Sequence, residues 1–379
     1  MKNYFGAPIK KLGFGFMRLP GFAGKPDSEI DYELTKKMAD LYIEKGFTYF
    51  DTAYVYHSGN SEVAIKKAVV ERYDRDKFQV TTKMPLWKEL SFAEMSEITN
   101  TSLDRAGLDF FDLYFLHGIG PDKYDLISKI KAFDYLRSLK EDGKAKNIGF
   151  SYHGDPDTLK RFLDEQADSL DIIQLQLNYL DWENGAKACY DVARQYDVGI
   201  VVMSPAKGGQ LANFTPEVAD IFKKANPNVS VASWALRFVM HLEGVVTVLS
   251  GMSTLEQVED NIKIADTLGP FTDDEIKVIA EAMAEKEKIP TIPCTTCKYC
   301  IDCCPKKINS AAIIGMINDY TLYQSLPGTK RMYQLITSGA FGGEAAKSSD
   351  CIECAECERH CPQNIEIIKA HHEAAKLFE

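Results

Sequence analysis

Two short runs near the C-terminal end of the sequence hold nine of its ten cysteines. Each run contains three cysteines separated by two residues and a further cysteine that directly precedes a proline. The first run comprises Cys294, Cys297, Cys300, Cys303 and Cys304, and the second comprises Cys351, Cys354, Cys357 and Cys361. This spacing is typical of bacterial pairs of [4Fe–4S] clusters, so it predicts one-electron chemistry.

In such pairs the three closely spaced thiolates hold one cluster, and the fourth cysteine of the run ligates the other cluster. The predicted ligands are therefore Cys294, Cys297, Cys300 and Cys361 for cluster 1, and Cys351, Cys354, Cys357 and Cys304 for cluster 2. Cys303 lies outside the spacing, and we interpret it as a spare thiol, although it could replace its neighbour Cys304. Cys189 stands alone in a predicted helix, where a buried structural cysteine is the common case.

Two other uses of cysteine compete with this interpretation. Zinc sites also use pairs of cysteines two residues apart, but they need neither a third cysteine at that spacing nor a fourth before proline. A disulfide framework is typical of secreted proteins. The first 20 residues show no apolar segment followed by a small-residue cleavage site. Reduced thiolates fit the cytoplasm, which we predict as the location.

A second group of reactive side chains follows three successive apolar runs in the N-terminal part of the sequence. Asp51, Lys83 and His117 each come directly after a predicted strand, and Tyr56 lies five residues beyond Asp51. Each residue alone is ordinary for a turn, a packed loop or a solvated surface. Because the carboxyl ends of parallel barrel strands meet at one face, three successive strand ends predict a shared site.

The elements that must position these side chains alternate along the first ~270 residues, as repeated β/α units do. The predicted strands are Gly13–Met17, Thr48–Phe50, Phe78–Thr82, Phe111–Leu116, Lys146–Phe150, Ile172–Gln176, Ile200–Met203 and Val245–Leu249. The predicted helices include Tyr32–Lys45, Ser61–Tyr73, Phe92–Ala106, Leu126–Glu141, Pro156–Gln166 and Leu255–Leu268. Eight such units predict an α/β fold, a (β/α)8 TIM barrel. An open doubly wound sheet is the alternative, but the first strand lacks the glycine-rich turn of that fold.

A smaller domain is predicted after the barrel. A helix over Asp273–Lys288 leads into Pro290 and Pro293, which are typical of an extended connector. We therefore predict a barrel domain over residues 1–288 and a domain with two 4Fe-4S clusters over residues 289–379. Between the cysteine runs, Ser310–Leu326 and Thr329–Thr337 read as helices, so this ferredoxin-like domain should be mainly helical.

Charge and hydropathy exclude several classes of partner. The net charge of −11 argues against nucleic acid, which requires a basic footprint, and against an anionic membrane surface. No apolar run reaches the length of a membrane-spanning helix. We therefore predict neither a nucleic-acid nor a membrane partner.

From Gly13 to Leu268 the sequence resembles the aldo-keto reductase family, in particular the branch with a C-terminal ferredoxin-like extension. The matching motifs are Asp51-Thr52-Ala53-Tyr54-Val55-Tyr56, Gly59-Asn60-Ser61-Glu62, Thr81-Thr82-Lys83, Asp112-Leu113-Tyr114-Phe115-Leu116-His117, Ile148-Gly149-Phe150-Ser151 and Gln174-Leu175-Gln176-Leu177-Asn178-Tyr179. The resemblance implies an NAD(P)H-dependent oxidoreductase that reduces a small carbonyl compound to an alcohol. Tyr56 would donate the proton, Lys83 held by Asp51 would favour the phenolate, and His117 would bind the carbonyl oxygen.

The resemblance also implies a set of nucleotide contacts. They are Ser151 and Gln174 at the nicotinamide carboxamide, Met203 in place of a stacking tyrosine, Ser204, Pro205, Lys207 and Gly209 in a pyrophosphate loop, and Gly251, Gln257 and Asn261 near the adenosine end. Gly251 and Gln257 are uncharged where NADP-binding relatives carry basic side chains, which should weaken a preference for NADP. The choice between NAD and NADP stays open at this point. Tyr54 and Trp87 are expected to line the substrate entrance.

Three interpretations of the whole chain remain. In the first, the reductase exchanges electrons through its clusters, either with the barrel site or with a redox partner protein. In the second, the chain is an electron-transfer or partner-docking protein whose barrel senses nucleotide without catalysis. In the third, the clusters are a structural clamp. Hydride carries two electrons and a cubane moves one, and a flavin is the usual converter, but no flavin segment is evident.

Overall fold

The computed structural model describes residues 4–6, 8–22, 25, 28–340 and 344–379. Eight parallel strands close into a barrel in which each strand pairs with the next and the last pairs with the first. They are β1 (Leu12–Gly15), β2 (Tyr49–Asp51), β3 (Gln79–Met84), β4 (Phe111–Ile119), β5 (Ala145–Tyr152), β6 (Ile172–Gln176), β7 (Gly199–Met203) and β8 (Val245–Ser250). The predicted (β/α)8 fold is thereby confirmed.

The strands are short apolar runs because both of their faces are buried. Their interior side chains form a layered core in the barrel, made of Tyr49, Leu113, Phe115, Ile172, Val201, Met203 and Leu249. The register aligns Asp51 on β2 with Thr81 on β3, and Lys83 on β3 with Phe115 on β4. Asp51, Lys83 and His117, expected directly after these strands, lie within the last residues of β2, β3 and β4, so their side chains are at one end of the barrel.

Sixteen α-helices are present among the described residues. They are α1 (Tyr32–Glu44), α2 (Asn60–Ile65), α3 (Phe92–Ala106), α4 (Tyr124–Lys129), α5 (Ala132–Glu141), α6 (Pro156–Gln166), α7 (Lys187–Ala193), α8 (Pro216–Ala225), α9 (Val231–Met240), α10 (Leu255–Thr267), α11 (Asp273–Lys286), α12 (Tyr299–Asp302), α13 (Ser310–Tyr323), α14 (Leu326–Thr337), α15 (Glu356–Arg359) and α16 (Ile367–Phe378). Strong capping boxes begin α3 at Ser91 and α11 at Thr272, where the hydroxyl and a glutamate three residues later satisfy backbone N–H groups.

Several predicted elements differ from the observed ones by a few residues at their ends, and three differ in kind. The single helix expected over Leu126–Glu141 is two helices, because Lys131 has φ 52° and ψ 46° and so interrupts the helical path. The helix expected over Ser61–Tyr73 ends at Ile65 and continues as a wider π turn over Lys66–Val70. The first strand ends at Gly15, and Phe16–Arg18 forms a 3-10 turn. In each case the spacing of apolar residues in the sequence continues through the point where the backbone conformation changes, so the sequence pattern does not reveal the change.

The chain divides into two compact units. The first comprises Met1–Pro205 and Ser233–Phe271 and contains all eight strands. The second comprises Ala206–Ala232 and Thr272–Glu379. It contains α8 and α11 to α16, with an apolar core that includes Ile313, Ile314, Ile317, Tyr333 and Phe378. The predicted domain boundary between Lys288 and Ile289 stays a prediction.

The helices of the described residues are all too short or too polar to cross a membrane.

Candidate functional site

Asp51, Tyr56, Lys83 and His117 converge at the carboxyl ends of β2, β3 and β4. The Lys83 ammonium donates hydrogen bonds to Asp51 Oδ1 at 2.5 Å and to Thr52 O at 2.7 Å, and its side chain is fully buried. The same ammonium lies 5.1 Å from the centre of the Tyr56 ring. The Tyr56 and His117 rings meet edge to face, with their centres 5.6 Å apart. The structure therefore brings together the four residues that the strand ends suggested.

The loop that carries Tyr56 has an unusual backbone. His57, Ser58 and Gly59 have φ values of 50°, 56° and 93°, so three consecutive residues are left-handed. Left-handed backbone disfavours residues with a Cβ, and a Cβ at Gly59 would meet the Arg105 guanidinium at 2.8 Å. Arg105 in turn lies 4.5 Å from the centre of the Tyr54 ring and donates to Tyr54 O. These contacts fix the chain on both sides of Tyr56.

Burial and charge together set the protonation of the pair beneath Tyr56. Burial raises the pKa of Asp51, and the Lys83 ammonium opposes that rise. Burial alone would lower the pKa of Lys83, but the Asp51 carboxylate and the Tyr56 hydroxyl outweigh it, so the net pKa is raised. Lys83 is therefore a buried cation at neutral pH.

Tyr56 and His117 both stay neutral at physiological pH. Burial raises the pKa of Tyr56 above its usual value, and Lys83 works against that rise. In the protein alone burial outweighs the lysine, so the phenol holds its proton. Burial, followed by the charge of Lys83, lowers the pKa of His117 to about 3. A neutral imidazole next to a protonated phenol can offer two hydrogen-bond donors to one oxygen atom.

Ser151 and Gln174, expected at a nicotinamide carboxamide, sit side by side on β5 and β6 as register partners. Both side chains are buried. The Ser151 hydroxyl accepts from Gly118 N at 2.7 Å. Gln174 Oε1 is buried and has no hydrogen-bond partner among the described residues. A buried amide oxygen without a donor is costly, and an amide N–H from a ligand would satisfy it.

The residues after β7 provide the next predicted contacts. Met203 ends the strand inside the barrel, and Ser204, with φ 53°, accepts from Asn178 Nδ2 through its carbonyl oxygen. Pro205 follows. Lys207 and Gly209 lie in a 3-10 turn over Lys207–Ala212 and belong to the second unit. Gly209 has φ 97°, a backbone conformation that suits glycine.

Asp319 of α13, which is in the second unit as well, interacts with two residues of the Lys207–Ala212 turn. Burial raises the pKa of the Asp319 carboxyl, while a hydrogen bond from Gln210 and the charge of Lys207 oppose that rise. The turn is therefore held by a side chain of the C-terminal region of the sequence.

Three more predicted contacts lie after β8. Asn261 Nδ2 donates to Ser250 Oγ at 2.7 Å, and Gln257 Oε1 accepts from Ser253 N at 2.7 Å. A Cβ at Gly251 would lie 3.2 Å from Arg18 Cδ. Sequence reasoning missed Arg18, because it comes from the opposite end of the barrel sequence and no motif marks it. It supplies a basic side chain next to Gly251, where the sequence suggested that none was present.

The expected entrance residues are also close together. The Tyr54 and Trp87 rings have centres 5.9 Å apart, and Trp87 is 56% exposed. An exposed tryptophan that packs against a tyrosine gives an apolar rim for a substrate. His153, to which we assign no role, has its pKa lowered by burial and by Lys123.

The cysteines of cluster 2 share one cavity. Cys304, Cys351, Cys354 and Cys357 line a space of about 330 Å³, partly open to solvent. The cysteines of cluster 1 share another: Cys294, Cys297, Cys300 and Cys361 line a space of about 320 Å³. Each cavity thus gathers three cysteines of one run and the fourth of the other, which is the crossed arrangement that the spacing suggests. Four sulfur donors in a mostly apolar wall fit an iron–sulfur cluster.

Cys303 lines neither of these two cavities, and its Sγ lies 3.7 Å from Cys300 O. Cys189 is buried on α7, and burial raises the pKa of its thiol to about 11. A reactive thiol needs a lowered pKa, so Cys189 has the character of a structural residue.

Sequence profiles of two families match the chain. The profile of the Aldo/keto reductase family matches residues 11–284, and that of the 4Fe-4S dicluster domain matches residues 293–366. The first match covers most of the chain and includes all eight strands. The second includes all nine cysteines of the two runs.

Individual relatives agree with this assignment. The chain is 30% identical over 215 residues to "Probable aldo-keto reductase 1" of Glycine max, an alignment that covers 54% of this chain and 58% of that protein. It is 28% identical over 260 residues to the "NADH-specific methylglyoxal reductase" of Escherichia coli, covering 57% of this chain and 78% of that one. An aldo-keto reductase of Klebsiella pneumoniae solved with NADPH shares the fold, with a TM-score of 0.59 and 21% identity over 73% of this chain and 91% of that one.

Proposed function

Because the chain belongs to the aldo/keto reductase family and carries a 4Fe-4S dicluster domain, we propose that it uses NAD(P)H to reduce a carbonyl group of a small molecule, with Tyr56 as the proton donor. The protein is an oxidoreductase of the aldo-keto reductase type. The observation that carries the proposal is the buried Lys83 cation, paired with Asp51 and placed under the Tyr56 ring. Burying a lysine charge costs desolvation free energy even when the charge is paired, which favours a functional role for Lys83.

The residues present fit a nicotinamide. Among the described residues Gln174 Oε1 has no donor, and Ser151 lies beside it on the neighbouring strand, so a carboxamide would find one acceptor and one hydroxyl. The Escherichia coli relative is named for NADH and the Klebsiella structure holds NADPH, which supports the class of cofactor and leaves the 2′-position open.

The preference between the two nucleotides depends on charge near Gly251. Gly251 and Gln257 carry none, which favours NAD, whereas Arg18, whose side-chain carbons lie beside Gly251, adds a basic side chain to this region. We propose NAD as the better ligand, with weaker NADP binding that depends on Arg18. Dissociation constants for both nucleotides with the wild type and Arg18→Met test this. The variant should lose NADP affinity and keep NAD affinity; equal losses would contradict the assignment.

When bound, the reduced nicotinamide supplies a hydride to the carbonyl carbon of the substrate. Tyr56 gives its proton to the carbonyl oxygen as negative charge develops there. Lys83 stabilises the resulting phenolate, and Asp51 keeps the ammonium charged and directed at Tyr56. His117, neutral because of burial, orients the carbonyl through a single N–H. The products are an alcohol and the oxidised nucleotide, and solvent returns the proton to Tyr56.

The test is Tyr56→Phe, which removes one oxygen atom and leaves the ring in contact with His117. Loss of a general acid costs about 10² to 10⁴ in turnover. Nucleotide affinity should stay unchanged, because the tyrosine hydroxyl is assigned to the substrate. Tyr196→Phe is the matched control, since its hydroxyl bonds Asp164 on the outer helices. Turnover by Tyr56→Phe at the wild-type level would refute the assignment.

Each cluster transfers one electron at a time, so we propose that the two clusters exchange electrons with a redox partner protein in the cytoplasm. Thiolate-bound clusters fit a reducing compartment. Anaerobic addition of NADH and of NADPH, followed by the cluster absorbance, separates the interpretations. Bleaching indicates exchange between nucleotide and clusters, whereas unchanged colour favours a structural clamp. The non-catalytic interpretation of the barrel has no support among the described residues, because the four site residues are present and in contact.

A further inference from the structure

The two cysteine cavities are built by an internal repeat, which allows them to be compared position by position. Each predicted ligand of the first run has a cysteine counterpart 57 positions later in the second, from 294 to 351 and from 304 to 361, whereas Cys303 corresponds to His360. The same offset relates the apolar residues that line the cavities, such as Ile308 to Ile365. A difference between matched positions is therefore a difference between two otherwise similar cluster environments.

Two matched positions differ in polarity. Ser310 and His371 line the cavity of cluster 2, and their counterparts in the cavity of cluster 1 are Ile367 and Ile314. Ser310 is 1% exposed and His371 is 2% exposed, so both polar groups are enclosed. The cavity of cluster 2 thus has a polar pair in its wall at the place where the cavity of cluster 1 has two isoleucines.

The pair is the inner end of a chain of hydrogen bonds that reaches the surface. Ser310 Oγ lies 2.9 Å from His371 Nε2, and His371 Nδ1 lies 3.4 Å from Ser348 Oγ. Ser348 N donates to Tyr333 Oη at 2.8 Å, and Tyr333 donates to Glu379 Oε1 at 2.5 Å. Ser348 and Tyr333 are also buried, while Glu379 is exposed. Buried polar chains of this kind need every member satisfied.

One tautomer of His371 leaves the Ser310 hydroxyl available as a donor. Tyr333 gives its only proton to Glu379, and its oxygen accepts from the backbone N–H of Ser348. The Ser348 hydroxyl is a separate group, and when it donates to His371 Nδ1 the imidazole proton is on Nε2 and is directed to Ser310 Oγ. Burial lowers the pKa of His371 to about 4, so the ring is neutral and has one donor and one acceptor nitrogen. The hydroxyl proton of Ser310 is then directed either to Ile308 O, at a long 3.5 Å, or to an acceptor in the cavity.

We propose that Ser310, polarised by His371, donates a hydrogen bond to a sulfur atom of the cluster held by Cys304, Cys351, Cys354 and Cys357 and raises its reduction potential. Hydrogen bonds to cluster sulfurs favour the reduced, more negative state. The other cluster lacks this donor, so the two clusters differ in function: one is the better electron acceptor. Glu353, Glu356 and Glu358 near the same cavity act in the opposite direction. Glu353 is exposed and screened, and the half-buried Glu356 and Glu358 are paired with Arg359 and with Ile368 N. The proposal rests on the ligand assignment and is independent of carbonyl reduction.

The experiment is a potentiometric titration of the full chain, purified anaerobically, with each cluster followed by electron paramagnetic resonance. Ser310→Ala removes the donor, and His371→Ile copies the residue of the matched position. Each should disfavour one-electron reduction of cluster 2 by about tenfold, a shift of about −59 mV, and leave cluster 1 unchanged. Ile314→Val is the matched control, at the equivalent place in the other cavity, and should leave cluster 2 unchanged.

Iron and sulfide contents are measured on every variant. If His371→Ile fails to hold its cluster, Ser310→Ala decides the matter alone, because it removes one atom from a buried side chain. His371→Gln keeps a donor and an acceptor and should retain part of the effect. Unchanged potentials in Ser310→Ala, or a shift of the cluster that Cys294 ligates, would overturn the proposal.

Discussion

Replacement of Lys83 by methionine separates the electrostatic and catalytic parts of the candidate site. Lys83 is fully buried and bonds Asp51 at 2.5 Å, and Met has a similar length without a charge. Removing one partner of a buried ion pair costs about 3–5 kcal/mol, because the other charge is left uncompensated. The activity should fall by about 10² to 10⁴, because Tyr56 then gives up its proton without a neighbouring cation.

The pH dependence of the stability loss carries the sharper test. Lys83 is what opposes the upward shift of the Asp51 pKa, so in the variant this pKa rises further above its unfolded value. A group with a raised folded pKa contributes stability below its unfolded pKa of about 3.9 and loses it as pH rises towards the folded pKa. Lys83→Met should therefore lose about 1.4 kcal/mol per pH unit over that window. Because the pKa of Asp51 is already raised in the wild type, the deficit of the variant grows with pH between the folded pKa of Asp51 in the wild type and the higher folded pKa in the variant.

The assay is urea unfolding under anaerobic conditions at several pH values, with Asp51→Asn/Lys83→Met as the control. The double variant has no charge at either position of this pair, so its stability should recover and its deficit should not grow with pH. Its activity should stay as low as that of the single variant. A deficit of Lys83→Met that stays constant from pH 4 to pH 9 would refute the reasoning.

Three further predictions concern other parts of the chain. Gln174→Leu should lower nucleotide affinity by about tenfold, the value of one hydrogen bond, without loss of stability, because it removes a buried oxygen that has no partner in the described part of the chain. Calorimetric binding and thermal unfolding measure the two effects. Cys361→Ala and Cys294→Ala should abolish the same paramagnetic signal, since both residues line one cavity; loss of different signals would contradict the crossed assignment. Lys131→Gly should stabilise the protein by about 1 kcal/mol, because φ is 52° there, whereas Lys129→Gly, at the end of α4, should not; urea unfolding of both variants distinguishes them.

The sequence alone predicts the barrel well and its irregularities poorly. Strands such as β4 and β6 are apolar runs set between amphipathic stretches, and that pattern follows from burial on both faces. The break at Lys131 cannot be recognised in the sequence, because the apolar periodicity continues from α4 into α5. A single left-handed lysine is set by tertiary packing, which a pattern of residue types does not contain.

The candidate site shows the same division. Asp51, Lys83 and His117 are predictable because strand ends meet at one face of a barrel. Arg18 and the hydrogen-bonded chain from Glu379 to Ser310 are not, because their members are scattered along the sequence and are joined only by folding. The resemblance to aldo-keto reductases concerns the reactive residues, and it says nothing of these contacts.

The central claim is that this chain moves hydride directly from nicotinamide to a carbonyl carbon, although it also carries one-electron centres. Reduced nucleotide with deuterium at both C4 positions, incubated anaerobically with the protein and a panel of aldehydes and ketones, tests it most directly. Mass spectrometry of the product alcohol should find one deuterium atom on the carbinol carbon. An alcohol that carries only solvent hydrogen at that carbon would show that electrons and protons arrive separately, and would contradict the account.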